Sequence, residues 1–199
     1  MKSRVALLVA LMVASAASGF AQGTVWGVKG GVNIASATQE GQDPLKNAAG
    51  GIFGVFLRTG VGVAGKALDI QPEILLSRQG GSGNGEDFRV YLNYLQIPVL
   101  LHFDWKDAGA RPFVVVGPAL GIRVTARAKG QDLSDDIKGI DWGIAAGGGF
   151  FVSKRFSLEG RYMQGLMDIA TEAGHAGDIG PGTVKNRLIS IMLGIQISS

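Results

Sequence analysis

The 199-residue chain is 46% hydrophobic and 18% charged, enough to bury the core of one domain or two small ones and too apolar for a disordered chain. It has no cysteine, which excludes a disulfide framework, a thiolate nucleophile and a cysteine-bound metal. The formal charge of +3 falls to +1 when Lys2 and Arg4 are set aside with the leader described next, and no basic cluster remains to mark a nucleic-acid surface.

The first element is MKSRVALLVALMVASAASGFAQ. Lys2 and Arg4 precede an apolar run from Val5 to Ala14, and small residues follow as far as Gly19-Phe20-Ala21. This is the layout of a secretory signal peptide cleaved after Ala21, and the run is shorter than the roughly 20 residues of a membrane anchor. A mature domain of residues 22–199 is expected.

Beyond residue 22, apolar residues recur with period two and not with the period of a helix. In 24–35, Trp26, Val28, Gly30, Val32 and Ile34 share one face, with Gly27, Lys29, Gly31 and Asn33 on the other. The stretch 51–60 follows. In 67–78, Leu68, Ile70, Ile74 and Leu76 oppose Asp69, Gln71, Glu73 and Ser77; in 91–104, Leu95, Ile97, Val99, Leu101 and Phe103 oppose Tyr94, Gln96, His102 and Asp104. Pro98 inside that run argues against a helix, and the ladder hydrogen bond it removes predicts a bulge or local break. After 112–126, the segment 139–152 sets Ile140, Trp142, Ile144, Ala146 and Phe150 against Asp141 and small residues. In 155–167, Phe156, Leu158 and Tyr162 oppose Ser157, Glu159 and Arg161, and 186–198 alternates isoleucine and leucine with Ser190, Gly194 and Gln196.

These eight strands are separated alternately by long linkers (36–50, 79–90, 127–138, 168–185) and short ones (61–66, 105–111, 153–154). Long connections at one end and short turns at the other belong to an eight-stranded antiparallel up-and-down transmembrane β-barrel. Such a barrel has no sheet edge, so it satisfies its backbone in lipid without a spanning helix. Its narrow interior is just filled by side chains, for which Gly143, Ala145, Gly147 and Gly149 would leave room. Trp26, Tyr91, Trp105, Trp142 and Tyr162 fall where aromatic girdles sit.

In chain order, GVKGGVN, LDIQPEILLSRQG, LNYLQIPVLLHF, GPALG, GIAAGGGF, FSLEGRYMQGL and KNRLISIMLGIQI resemble the PorT-like outer-membrane protein beta-barrel domain family over nearly the whole mature chain. QPEILLS and YLQIPVLL are the specific elements. The resemblance implies an integral outer-membrane barrel of a Gram-negative cell, often labelled a porin family, with no cofactor and no catalytic residues. It also places Tyr94, Gln96 and Pro98 in the family's strand-four motif. Outer-membrane lipid and lipopolysaccharide, the assembly machinery, and a small solute or ion are the implied partners. The chain departs from such barrels at its end, Ile197-Ser198-Ser199, where they carry an aromatic residue.

Lys29, Asp69, Glu73, Asp141, Glu159 and Arg161 are expected to point into the lumen, as a selectivity path or as a paired network that fills it. A closed network is favoured in so narrow a barrel. His102 and His175 fall at opposite ends and form no shared metal or triad site, so a lipid-modifying enzyme using His175 with Glu172 and Asp178 is a weaker alternative. GGSGNG at 80–85 lacks the lysine and helix of a phosphate loop. A soluble periplasmic carrier, with its apolar faces inward, is the third possibility. The transmembrane reading predicts that only detergent extracts the protein, and that it migrates at different gel positions before and after boiling; an unchanged position would favour the carrier.

Overall fold

The computed structural model describes residues 24–39, 46–60, 68–82, 89–105, 111–128, 131–132, 139–167 and 184–197. The leader, the side chain of Tyr91, Glu172, His175, Asp178 and half of the 80–85 stretch (83–85) lie outside that description. The strands are β1 (Val25–Gln39), β2 (Lys46–Gly60), β3 (Leu68–Ser82), β4 (Arg89–Asp104), β5 (Pro112–Ala128), β6 (Gln131–Asp132), β7 (Ile140–Phe151), β8 (Phe156–Gly165) and β9 (Val184–Gln196).

Eight of them form a closed antiparallel barrel in sequence order, sealed by the pairing of β1 with β9. The two-residue β6 only extends the top of β5, through Arg127↔Asp132 and Ala128↔Gln131. The start of β1 at Val25 and the end of β9 at Gln196 lie at the end that carries the β2–β3, β4–β5 and β7–β8 turns.

The strands run further than period two indicates. β1, β2, β3 and β5 take in residues 36–39, 46–50, 79–82 and 127–128, which read as linker by composition. Only 40–45 then separates β1 from β2, and 61–67 separates β2 from β3, so the strict alternation of long and short connections does not hold. The cause is physical: past the lipid both faces of a strand meet water, and nothing there requires alternation.

Register partners from Lys29 run through Gly54, Leu75, Gln96 and Gly121 to Asp141 on β7. In the other direction they run through Gly194 and Ser157 to Phe151 on the same strand. The circuit therefore closes ten residues out of step, from Asp141 to Phe151. Such a stagger forces the strands to tilt and sets a narrow bore.

Outward positions are apolar and exposed around the wall, including Val32, Ile34, Phe53, Val55, Ile74, Leu76, Val116, Ile144, Ile189, Ile191 and Leu193. A continuous apolar surface of this kind is untenable in water and is what lipid requires. Trp26 and Trp105 stand outward at the turn end, with Phe103 edge-on to Trp105 at 4.8 Å, while Trp142 and Tyr162 stand outward toward the opposite end.

The local break expected at Pro98 is present, without a bulge or a shift of register. Pairing with β3 lapses between Pro72↔Val99 and Leu75↔Gln96, and resumes in the same register. The register shift with β5 lies at Asn93/Tyr94 instead. Pro98 is buried, so its ring fills lumen while the missing donor leaves the register intact.

Several inward glycines allow this curvature. A Cβ on Gly31 would collide with the carbonyl oxygen of Ile191, whereas on outward Gly30 the nearest atoms are 3.9 Å away. Gly31→Ala is therefore expected to lower the urea midpoint of the folded barrel markedly, and Gly30→Ala to leave it nearly unchanged. Equal midpoints for the two variants would contradict the close approach.

Candidate functional site

Lys29, Glu73, Glu159 and Arg161 meet at the centre of the lumen. They come from β1, β3 and β8, and each is buried because the alternation that turns their neighbours to lipid turns them inward. Arg161 grips Glu73 with both terminal nitrogens, Nη1 to Oε2 at 2.7 Å and Nη2 to Oε1 at 2.9 Å. Its Nε donates to Glu159 Oε1 at 2.7 Å. Lys29 Nζ donates to Glu73 Oε1 at 2.8 Å and to Glu159 Oε2 at 2.5 Å. Gln71 Nε2 adds a third donor to Glu73 Oε1 at 2.6 Å, and Lys29 Nζ sits 5.2 Å from the ring centre of Phe56.

Two cations and two carboxylates sum to zero, which is the condition for tolerating charge away from water. The two-pronged guanidinium geometry is the strongest form of such pairing. Gly54 and Gly194, the register partners of Lys29 on its two sides, carry no side chain to obstruct it; a Cβ on Gly194 would lie 3.7 Å from Lys29 Cγ. Gly147 does the same for Arg161, whose Cβ would lie 3.3 Å from the added carbon. Gly149 instead makes room for Phe113, at 2.7 Å.

The other two expected lumen charges do not join this quartet. Asp69 lies toward the turn end and pairs with Arg58 Nε at 3.4 Å. Asp141 lies toward the opposite end, where Gly121 separates it from Tyr94: an added Cβ there would lie 3.4 Å from Tyr94 Cδ1 and 3.7 Å from Asp141 Cβ. Tyr94, Gln96 and Pro98 all point inward and are buried on β4.

A second layer, absent from the expected set, closes the turn end. His102 stacks on Phe113 at 4.8 Å and 20°, and Arg58 Nη1 lies 3.3 Å from His102 Nε2. Arg58 and Arg111 lie over Phe151 at 5.2 and 4.6 Å, and Arg111 Nη2 donates to Asp104 Oδ2 at 2.7 Å. Arg111 holds a positive φ of 38°, a strained conformation for a side chain of this size, anchored by those contacts. Above the quartet, Ile52, Leu75 and Met192 pack together, and Asn33, Ser77, Gln79 and Asn186 form an amide and hydroxyl chain with bonds of 2.7–3.2 Å. The void between the quartet and the aromatic layer holds at most about one water. Among the described residues no group of histidines and carboxylates is placed to hold a metal.

The model of the outer membrane protein beta-barrel domain family matches residues 20–171. The chain belongs to that family. Its location is therefore the outer membrane. No curated protein matches the chain. Among solved structures it is similar to Neisserial surface protein A, with a TM-score of 0.57 and 14% identity over 88% of this chain and 100% of that one. It is also similar to Ail, the attachment invasion locus protein of Yersinia pestis, solved with the heparin analogue sucrose octasulfate, with a TM-score of 0.53 and 13% identity over 87% and 99% of the two chains. At these identities the likeness is one of fold.

The inward phase of Asp104 was available from alternation, that of Arg58 was not because β2 is apolar on both faces, and the partners of neither could be read. Which inward charges meet depends on the stagger of the barrel, and period two carries no information about stagger. The quartet predicts that Arg161→Met, which leaves two carboxylates facing one lysine, loses about 3–5 kcal/mol in urea unfolding from detergent micelles. Asp69→Asn, at the longer and partly exposed pair, is expected to lose under about 1 kcal/mol.

Proposed function

We propose that this protein is a structural, non-conducting barrel of the outer membrane, a PorT-like member of the porin family exported behind a leader cleaved after Ala21. The β1–β2, β3–β4, β5–β7 and β8–β9 connections face outward from the cell and the other turns face the periplasm. The observation that carries this reading is the neutral quartet of Lys29, Glu73, Glu159 and Arg161, which fills the middle of the lumen with paired charge.

Two further features support it. The aromatic and arginine layer of Phe113, Phe151, Arg58 and Arg111 fills the lumen again at the turn end. Wide aqueous channels belong to barrels of more strands. The reading assigns no enzymatic step and no cofactor: His102 is taken up by Arg58 and Phe113 inside the wall and is not offered to a substrate. Its partners are the lipid around the apolar belt, lipopolysaccharide in the outer leaflet and the assembly machinery that inserts it. A small solute or ion would pass only if the quartet parted.

Conductance of the refolded protein in a planar bilayer tests the reading. Stable insertion without current is expected for the natural chain. A steady current that changes in Glu73→Gln or Arg161→Gln would replace this reading by a pore with a charged constriction.

A further inference from the structure

The outward face of β9 changes character within one step of its alternation. Ile195, Leu193, Ile191 and Ile189 are exposed and apolar, and the next two outward residues, Arg187 and Lys185, are exposed cations. The change extends to both neighbours in the Arg187 row, and to β1 in the Lys185 row. Arg187 is flanked by Ser36 on β1 and Gln164 on β8, and Lys185 has Thr38 as its β1 partner, while the row beneath holds Ile34, Ile189 and Tyr162.

Arg187 is held in place. Its Nε donates to Gln164 Oε1 at 3.2 Å, and the same oxygen accepts from the Tyr162 hydroxyl at 2.7 Å. Gln164 is itself oriented by donating from Nε2 to the Gly165 carbonyl at 2.9 Å. This uses one of the guanidinium's five donors. Among the described residues neither Arg187 nor Lys185 has a carboxylate within ion-pair distance.

A braced guanidinium at the upper lip of an apolar belt, with a second cation two residues above it, matches a phosphate attached to acyl chains. The planar fork suits phosphate oxygens, and the exposed apolar row directly beneath suits the chains. A free phosphate would gain nothing from Ile189, Ile191 and Val32, nor from Leu166, which carries apolar surface past Gln164 on β8 and is 54% exposed.

We propose that Arg187 and Lys185 form a binding site for the phosphate of an outer-leaflet glycolipid, the lipid A portion of lipopolysaccharide, with its acyl chains lying against Ile34, Val32, Ile189 and Ile191. The inference rests on the orientation given above, with the start of β9 on the outer side.

Native mass spectrometry of the detergent-purified full chain, titrated with lipid A carrying both phosphates, lipid A stripped of phosphate, and phosphatidylglycerol, tests the site. Tight retention of the phosphorylated lipid A alone is expected, falling about tenfold or more in Arg187→Gln/Lys185→Gln. Lys154→Gln/Arg155→Gln, at the other end of the barrel, should bind as the natural chain does. Equal retention by the first variant, or equal retention of phosphatidylglycerol, overturns the proposal. A preserved shift in gel mobility on boiling confirms that each variant is folded. Because the chain lacks cysteine, Gly139→Cys and Lys154→Cys can be labelled singly on intact cells with a membrane-impermeant maleimide. Labelling at 139 without phosphate dependence defeats the lipid site alone, whereas labelling at 154 in place of 139 defeats the orientation on which it rests.

Discussion

Hydrocarbon offers a backbone amide no partner, so a chain that enters it as strands must pair every strand on both sides. Here that requirement is met by the ladder between β1 and β9, which turns a sheet with two open edges into a cylinder. The remaining architecture follows from closure. Eight staggered strands leave an interior just wide enough for side chains to fill, and the charges that point into it must pack and be paired.

The lumen meets both conditions by layering. Paired charge occupies the middle, where the four carboxylate oxygens of Glu73 and Glu159 are matched by donors from Arg161, Lys29 and Gln71. Aromatic rings and arginines occupy one end, and a small apolar cluster lies on the other side of the charges. Glycines are the complement of the large inward side chains: Phe113 fits against Gly149, and Lys29 lies between Gly54 and Gly194. The wall and the filling are thus one packing solution.

Much of the wall was legible in the sequence because lipid on one face and a polar lumen on the other impose strict alternation. The phases of β1, β3, β4, β7 and β8 follow from it directly. β2 is ambiguous by the same logic, since Ile52 and Phe56 are buried in the lumen while Phe53 and Val55 face lipid, and only Arg58 marks the inward side. Strand ends were illegible where residues such as 36–39 and 79–82 continue the ladder beyond the lipid. The six inward charges were identifiable one by one, yet their division into a quartet and two outlying carboxylates depends on stagger. Pro98 was legible in part: its lost donor breaks the ladder there as the rule predicts, but the register holds across the break, and the register shift on β4 falls at Asn93/Tyr94.

The central ion pairs also bear on the order in which the barrel can be made. Lys29 and Glu159 are 130 positions apart, and Glu73 and Arg161 are 88 apart, so these contacts join early-synthesised strands to late ones across the bore. No hairpin contains both halves of either pair. A partly assembled sheet must keep four ionic groups hydrated, and the loop-closure cost of bringing them together falls on the step that joins the first strand to the last. Closure of the β1–β9 seam is thus also the step at which these four groups can meet and give up their water.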